Sequence, residues 1–304
     1  MSFNDNVTLD TSQVRSGGGG GGAPGGMVVG GGVVGIIITI LAMIFGINPG
    51  DITDPSTQPE SGQVQPGGEQ DSAAFAQCQT GADANENVEC RVIGTVNSVQ
   101  AFWEGELPRF GKEWQPTQTV LYRGQTQSAC GTASNQVGPF YCPLDKTVYI
   151  DASFFQLLEE QFGSSAGPLA QEYVVAHEYG HALQDQLGLL GRAQQGGAGP
   201  ESGGVRIELM ADCLGGVWAK HASTVEDEDT GQPFLEPLTE QDIKDALSAA
   251  ASVGDDTIQQ KTQGRVSPEN WTHGSAEARQ RWFLQGYKTG DLNQCDTFAV
   301  DSVN

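Results

Sequence analysis

The chain alternates between stretches that can bury a face and stretches that cannot. Residues 27–47, "MVVGGGVVGIIITILAMIFGI", are 21 consecutive residues without a charge. As a helix they reach about 31 Å, close to the hydrocarbon thickness of a bilayer, so one membrane crossing by an uncleaved anchor is expected. A signal peptide would need a basic start, a shorter apolar core and a small-x-small cleavage site, and none of these is convincing here. The flanks are of another kind. Residues 16–26, "SGGGGGGAPGG", and residues 48–73, rich in Pro, Gly, Gln, Asp and Ser, have too little apolar surface to fold and read as a tract and a linker. Arg15 and the amino terminus precede the span, whereas the next basic residue is Arg91, a bias that places the amino terminus inside.

From about residue 74 the pattern is globular. Residues 98–110, "SVQAFWEGELPRF", carry a helical period. "TQTVLYR" (117–123) and "KTVYID" (146–151) read as strands, and "ASFFQLLEEQFG" (152–163) returns to helix. Beyond Gly167 helices dominate. This order predicts an α+β domain in which a small sheet precedes a helical half, with one transmembrane helix ahead of it. The expected segments are a Gly-rich cytoplasmic tail (1–26), the transmembrane helix (27–47), a disordered linker (48–73) and an extracytoplasmic domain (74–304).

Charge and cysteine usage narrow the function. Acidic residues outnumber basic ones 38 to 15, a formal net charge of -23, and no basic cluster exists to neutralise phosphates, which argues against nucleic acid. The six cysteines form no C-x-x-C pair, so disulfides outside the cytoplasm are the better reading than a zinc ribbon or redox site. Short loop closure favours Cys78 with Cys90 and Cys130 with Cys142, which leaves Cys213 for Cys295.

The candidate chemistry lies in "VVAHEYGHALQDQ" (174–186). Pro168 suits a helix start, Gly188 suits the residue just past its end, and no proline interrupts. On that helix His177 and His181 share one face a turn apart, with Tyr173, Gly180 and Gln184, so two imidazole nitrogens can reach one Zn²⁺. Glu178 stands beside such an ion, where a carboxylate can take a proton from a metal-activated water. A catalytic zinc needs a third protein ligand. In "GGVRIELMADCLGGVWAKHA" (203–222) a helical reading puts Glu208, Ala211, Asp212, Gly215 and Ala219 on one face and Met210, Leu214 and Val217 on the other. Two carboxylates a turn apart among small residues call for a cation: Glu208 as third ligand, Asp212 accepting the free N–H of a ligating histidine. A solvated acidic pair is the bland alternative.

At this point the sequence resembles a known family. "AHEYGHALQ" and "RIELMADCLGGVWA", with "CGTASNQVGPFYCPLDKTVYID" before and "HGSAEARQRWFLQGYKTGD" after, are similar to the bacterial neutral zinc metallopeptidases with a single membrane span. The resemblance implies a zincin-like fold, Zn²⁺ held by His177 and His181, and Glu178 as catalytic residue; the wider likeness to zincins with a glutamate ligand supports Glu208. The expected partners are a peptide or protein substrate and the bilayer through residues 27–47. The expected location is the cell membrane, with the domain outside.

Other residues carry less. His273, just before a helix that Ser275 could cap, is either a donor to an oxyanion or a loop histidine with a structural bond. Tyr141 and Tyr149 are further donors. His221 reads as a core residue, Cys213 as structural, and strand 146–150 as a surface on which an extended substrate could pair. Two other functions stay open: a zinc-stabilised scaffold without hydrolysis, and zinc-dependent hydrolysis of a non-peptide bond.

Overall fold

The structure, a computed structural model, describes residues 2–17, 74–135 and 137–304. Its first strand, β1 (Val14–Gly17), comes from the segment that composition assigns to a separate tail, and residues 2–17 are instead built into the domain. Phe3, Val7, Leu9 and Val14 are each at most 5% exposed. Their spacing has neither helical nor strand period, which is why the pattern conceals them. The stretch at 27–47, the rest of the glycine tract and the linker at 48–73 lie outside the described residues. Among those described, no helix is long and apolar enough to cross a membrane.

After α1 (Gly81–Glu86), helix α2 (Val88–Glu106) starts ten residues earlier than its periodic core suggests, because the Asn87 side chain accepts the N–H groups of Glu89 and Cys90. β2 (Gln118–Tyr122) follows, then the hairpin β3 (Gln125–Ser128) and β4 (Gly131–Ser134), then β5 (Phe140–Cys142) and β6 (Thr147–Asp151). The main sheet has the order β1-β2-β6-β5, parallel except for the β5–β6 hairpin. Side chains alternate across it. Leu121, Val148 and Ile150 enter the main core, whereas Tyr122, Tyr149 and Phe140 face a smaller cluster under the β3–β4 hairpin, fixed by Cys130–Cys142. β6 lies between two strands and is buried throughout, so it cannot take an extended substrate as expected of 146–150; β5 is the edge on that side.

The helical half runs α3 (Phe154–Phe162), α4 (Pro168–Gln186), α5 (Gly203–His221), α6 (Glu240–Ser252), α7 (Asp255–Gln263) and α8 (Ala276–Thr289). Pro168 opens α4, and Gly188 follows it at φ 73°, as their chemistry dictates. α5 and α8 touch backbone to backbone: a Cβ on Gly286 would overlap the carbonyl of Cys213, and one on Gly216 that of Phe283. On its other side α5 meets α4, where a Cβ on Gly180 would crowd Ala211 at 3.1 Å. α5 is thus clamped between the motif helix and α8, and Cys213–Cys295 ties it to the carboxy-terminal turn. The pairings Cys78–Cys90, Cys130–Cys142 and Cys213–Cys295 match those expected from loop closure.

Candidate metal centre

The close approach of α4 and α5 brings His177, His181 and Glu208 together, each at most 6% exposed. His177 Nε2 lies 3.2 Å from Glu208 Oε2, and His181 Nε2 lies 3.4 Å from Glu208 Oε1. One potential ligand atom from each residue falls within 4.8 Å of the others. Donors bound to a single Zn²⁺ at about 2.0–2.2 Å stand roughly 3–3.5 Å apart, so the group fits such an ion. The outer nitrogens explain the arrangement. His177 Nδ1 donates to Asp212 Oδ1 at 2.9 Å, and His181 Nδ1 to Gln184 Oε1 at 2.8 Å, while Gln184 Nε2 is fixed on the Ile207 carbonyl at 2.7 Å. With the Nδ1 positions turned to Asp212 and Gln184, each Nε2 faces the Glu208 carboxylate, a contact that takes either a second proton on the ring or a metal cation between the two.

Asp212 is the hub behind His177. Arg279 Nε reaches its Oδ2 at 2.8 Å, Arg279 Nη2 reaches its Oδ1 at 2.9 Å, and the Tyr173 hydroxyl donates to Oδ1. Burial alone would raise the Asp212 pKa, but Arg279 and His177 hold it below the usual carboxylate value. Burial likewise works against charge on His177, yet Asp212 and Glu208 outweigh it and push the imidazole up to about 9 in the metal-free protein. Glu208 stays ionised, its desolvation overcome by His273, His181 and His177.

At Glu178 desolvation outweighs the same neighbouring charges. The residue is 6% exposed, its Oε2 has no hydrogen-bond partner, and burial raises its pKa. It lines a cavity of about 80 Å³ with the three prospective ligands, Tyr173, Arg279 and His273. The remaining walls are Val137, Pro139, Phe154, Val174, Val253 and Ile258, all apolar. A larger groove of about 760 Å³ shares no lining residue with it.

A family model described as "Putative neutral zinc metallopeptidase" matches residues 3–298, from within the amino-terminal segment almost to the end. The chain belongs to this family. Curated relatives include the uncharacterized protein Rv2575 of Mycobacterium tuberculosis, 56% identical over 259 residues that make up 85% of each chain. Another is the uncharacterized protein YpfJ of Escherichia coli K12, 35% identical over 272 residues, 87% of this chain and 86% of the relative. No solved structure matches. The family's description implies zinc, and the described residues of this zinc metallopeptidase family member offer one buried His-His-Glu group suited to it.

His273 reaches the cavity from the loop before α8. Its Nε2 is 3.9 Å from Glu208 Oε2, and its Nδ1 is 3.8 Å from Asp255 Oδ1 and 3.0 Å from Thr272 Oγ1. Asp255 holds this loop by accepting the backbone N–H groups of Thr272, His273 and Gly274. Ser275 caps α8 through the N–H of Ala278. Tyr141 and Tyr149 do not line the cavity; their hydroxyls donate to Asp185 and Asp145, each at 2.8 Å. His221 stacks on Phe102. Arg279 and Asp255, central to this geometry, carry no mark in the sequence, because each is one of several like charges on a polar helix until the fold selects it.

Proposed function

We propose that this protein is a zinc-dependent peptidase with a zincin-like site. The observation that carries the reading is the convergence of His177, His181 and Glu208 beside the unpartnered carboxylate of Glu178. His177 Nε2, His181 Nε2 and a Glu208 oxygen would hold the ion, while Asp212 and Gln184 fix the two rings from behind. Bound there, Zn²⁺ supplies a Lewis acid that polarises a carbonyl and acidifies water. Glu178, outside the ligand set, accepts the proton of the attacking water and delivers it to the departing amine nitrogen; its raised pKa suits a group that must take and then release a proton. His273 Nε2, backed by Asp255 and Thr272, donates to the oxyanion that develops at the carbonyl. The apolar walls receive an aliphatic or aromatic side chain next to the scissile bond.

A structural zinc is normally closed by four protein ligands, whereas the group among the described residues has three and opens on a cavity, which favours catalysis over a scaffold. The disulfides favour an oxidising compartment, in keeping with a place at the cell envelope. The deciding experiment compares wild type with Glu178→Gln on a mixed peptide and ester library. Peptide cleavage by the wild type alone, at equal zinc content, supports the reading. Ester cleavage alone replaces it with another hydrolase, and no cleavage leaves the scaffold.

A further inference from the structure

The domain is built around residues 2–17 rather than merely touched by them. Two asparagines grip the backbone of the segment at both its N–H and C=O groups: Asn85 Oδ1 accepts Phe3 N–H at 2.8 Å and Asn85 Nδ2 donates to the Phe3 carbonyl at 3.0 Å. Asn97 does the same to Asp10, with both bonds at 3.0 Å. Two glycines make room. A Cβ on Gly94, in the middle of α2, would run into the Phe3 ring, and one on Gly81 would overlap the Asn4 carbonyl. A mid-helix glycine costs helix stability, so its place under Phe3 has a packing reason. Further contacts reach across the fold: Phe3 bridges to Leu235, Asn4 N–H donates to the Phe234 carbonyl, and Asp227 Oδ2 accepts Thr8 N–H. Without β1, β2 would become an unpaired sheet edge.

We propose that residues 2–17 are a permanent part of the domain, so that the chain leaves and rejoins it on one side of any membrane. The apolar residues 27–47 then do not carry the amino terminus to the opposite face. A single crossing would put Phe3, Leu9 and Val14 about 30 Å of hydrocarbon away from their seats. One 21-residue stretch is also too short to cross and return as two helices, each of which needs about 20 residues. The chain between residues 17 and 74, at up to about 3.5 Å per residue, is long enough to leave the domain and come back. Cutting the chain between residues 48 and 73 would leave the domain held to the upstream fragment through β1.

Two measurements on the full chain test this. A site-specific protease site placed within residues 48–73 is cut in detergent, and the two fragments are followed by size exclusion. The expected result is co-elution that denaturant abolishes, and that the double variant Phe3→Asp, Leu9→Asp loses without denaturant. Separation of the wild-type fragments under native conditions overturns the proposal. In intact cells, single cysteines at the exposed positions Ser12 and Gln263 are probed with a membrane-impermeant maleimide before and after permeabilisation. Equal accessibility supports one compartment for both. Labelling of one only before, and the other only after, permeabilisation restores the single crossing.

Discussion

Arg279 holds both oxygens of Asp212, and Asp212 in turn holds Nδ1 of His177, so a guanidinium on α8 fixes the ring that faces the metal position. All three residues are at most 6% exposed. Removing the cation leaves a buried carboxylate uncompensated. Arg279→Met is expected to cost about 3–5 kcal/mol of stability in denaturant unfolding. Asp212→Asn, which keeps the shape, is expected to weaken zinc binding roughly 10–100-fold. Zinc affinity unchanged in Asp212→Asn, measured by competition with a chromogenic chelator, would remove Asp212 from the centre.

Ligand and base are separable by substitution. Glu208→Ala is expected to lose most bound zinc, since it removes the carboxylate that His177 and His181 face at 3.2 and 3.4 Å. Glu178→Gln should retain about one zinc per chain while hydrolysis falls to background, because the changed atom is not a donor to the ion. Metal analysis beside a peptide assay checks both. Parental zinc affinity in Glu208→Ala would mean that the third ligand lies elsewhere.

The candidate metal centre is far more legible in the sequence than the support around it. His177, Glu178 and His181 lie within four residues of one another on one helix, so local periodicity positions them. Glu208 and Asp212 could be read because two carboxylates among Ala and Gly contradict a simple buried face. Arg279 could not: "AEARQRWF" offers Arg279 and Arg281 on a helix, and only the packing of α8 on α5 selects the first. Residues 2–17 were hidden for a related reason. Their anchors sit at irregular spacing beside a glycine tract, and what recognises them is a pair of asparagines more than 80 residues away.

Zinc binding should strengthen with pH. In the metal-free protein His177 is raised from its ordinary value to about 9, so at neutral pH it carries a second proton on the nitrogen a metal would need. A raised pKa stabilises the metal-free fold fully below about 6.5, and that contribution is lost as pH climbs through about 9. Zinc must displace the proton, so its apparent affinity should fall by about tenfold per pH unit below that value. The rise in melting temperature on adding zinc is expected to grow between pH 6 and pH 9. A shift constant across that range would show that His177 is already free of the proton.

His273 tests how far the loop before α8 takes part in chemistry. The hydrogen bond of its ring is to the neighbouring Thr272, whereas Asp255 accepts three backbone N–H groups of that loop. His273→Ala should therefore lower turnover about 10²–10³-fold with little change in zinc content or melting temperature. Asp255→Ala should do the opposite first, losing stability because those N–H groups are left without an acceptor. If His273→Ala melts early and keeps normal turnover per folded molecule, its role is structural.

The cavity walls give the substrate preference a handle that the metal ligands do not. Ile258 on α7 and Val174 on α4 line the space beside Glu178, and neither belongs to the His-His-Glu group. Ile258→Ala removes methyl groups from one wall and so enlarges the space. Differences of this size in an apolar pocket discriminate side chains by roughly 10–200-fold. Library profiling of the wild type is expected to return aliphatic or aromatic residues beside the cleaved bond, and Ile258→Ala should move the preference toward the larger ones at unchanged zinc content. Ile258→Asp should depress cleavage of all apolar substrates. If neither substitution changes the profile while both proteins still cleave, the substrate side chain lies elsewhere, although the metal centre would keep its role.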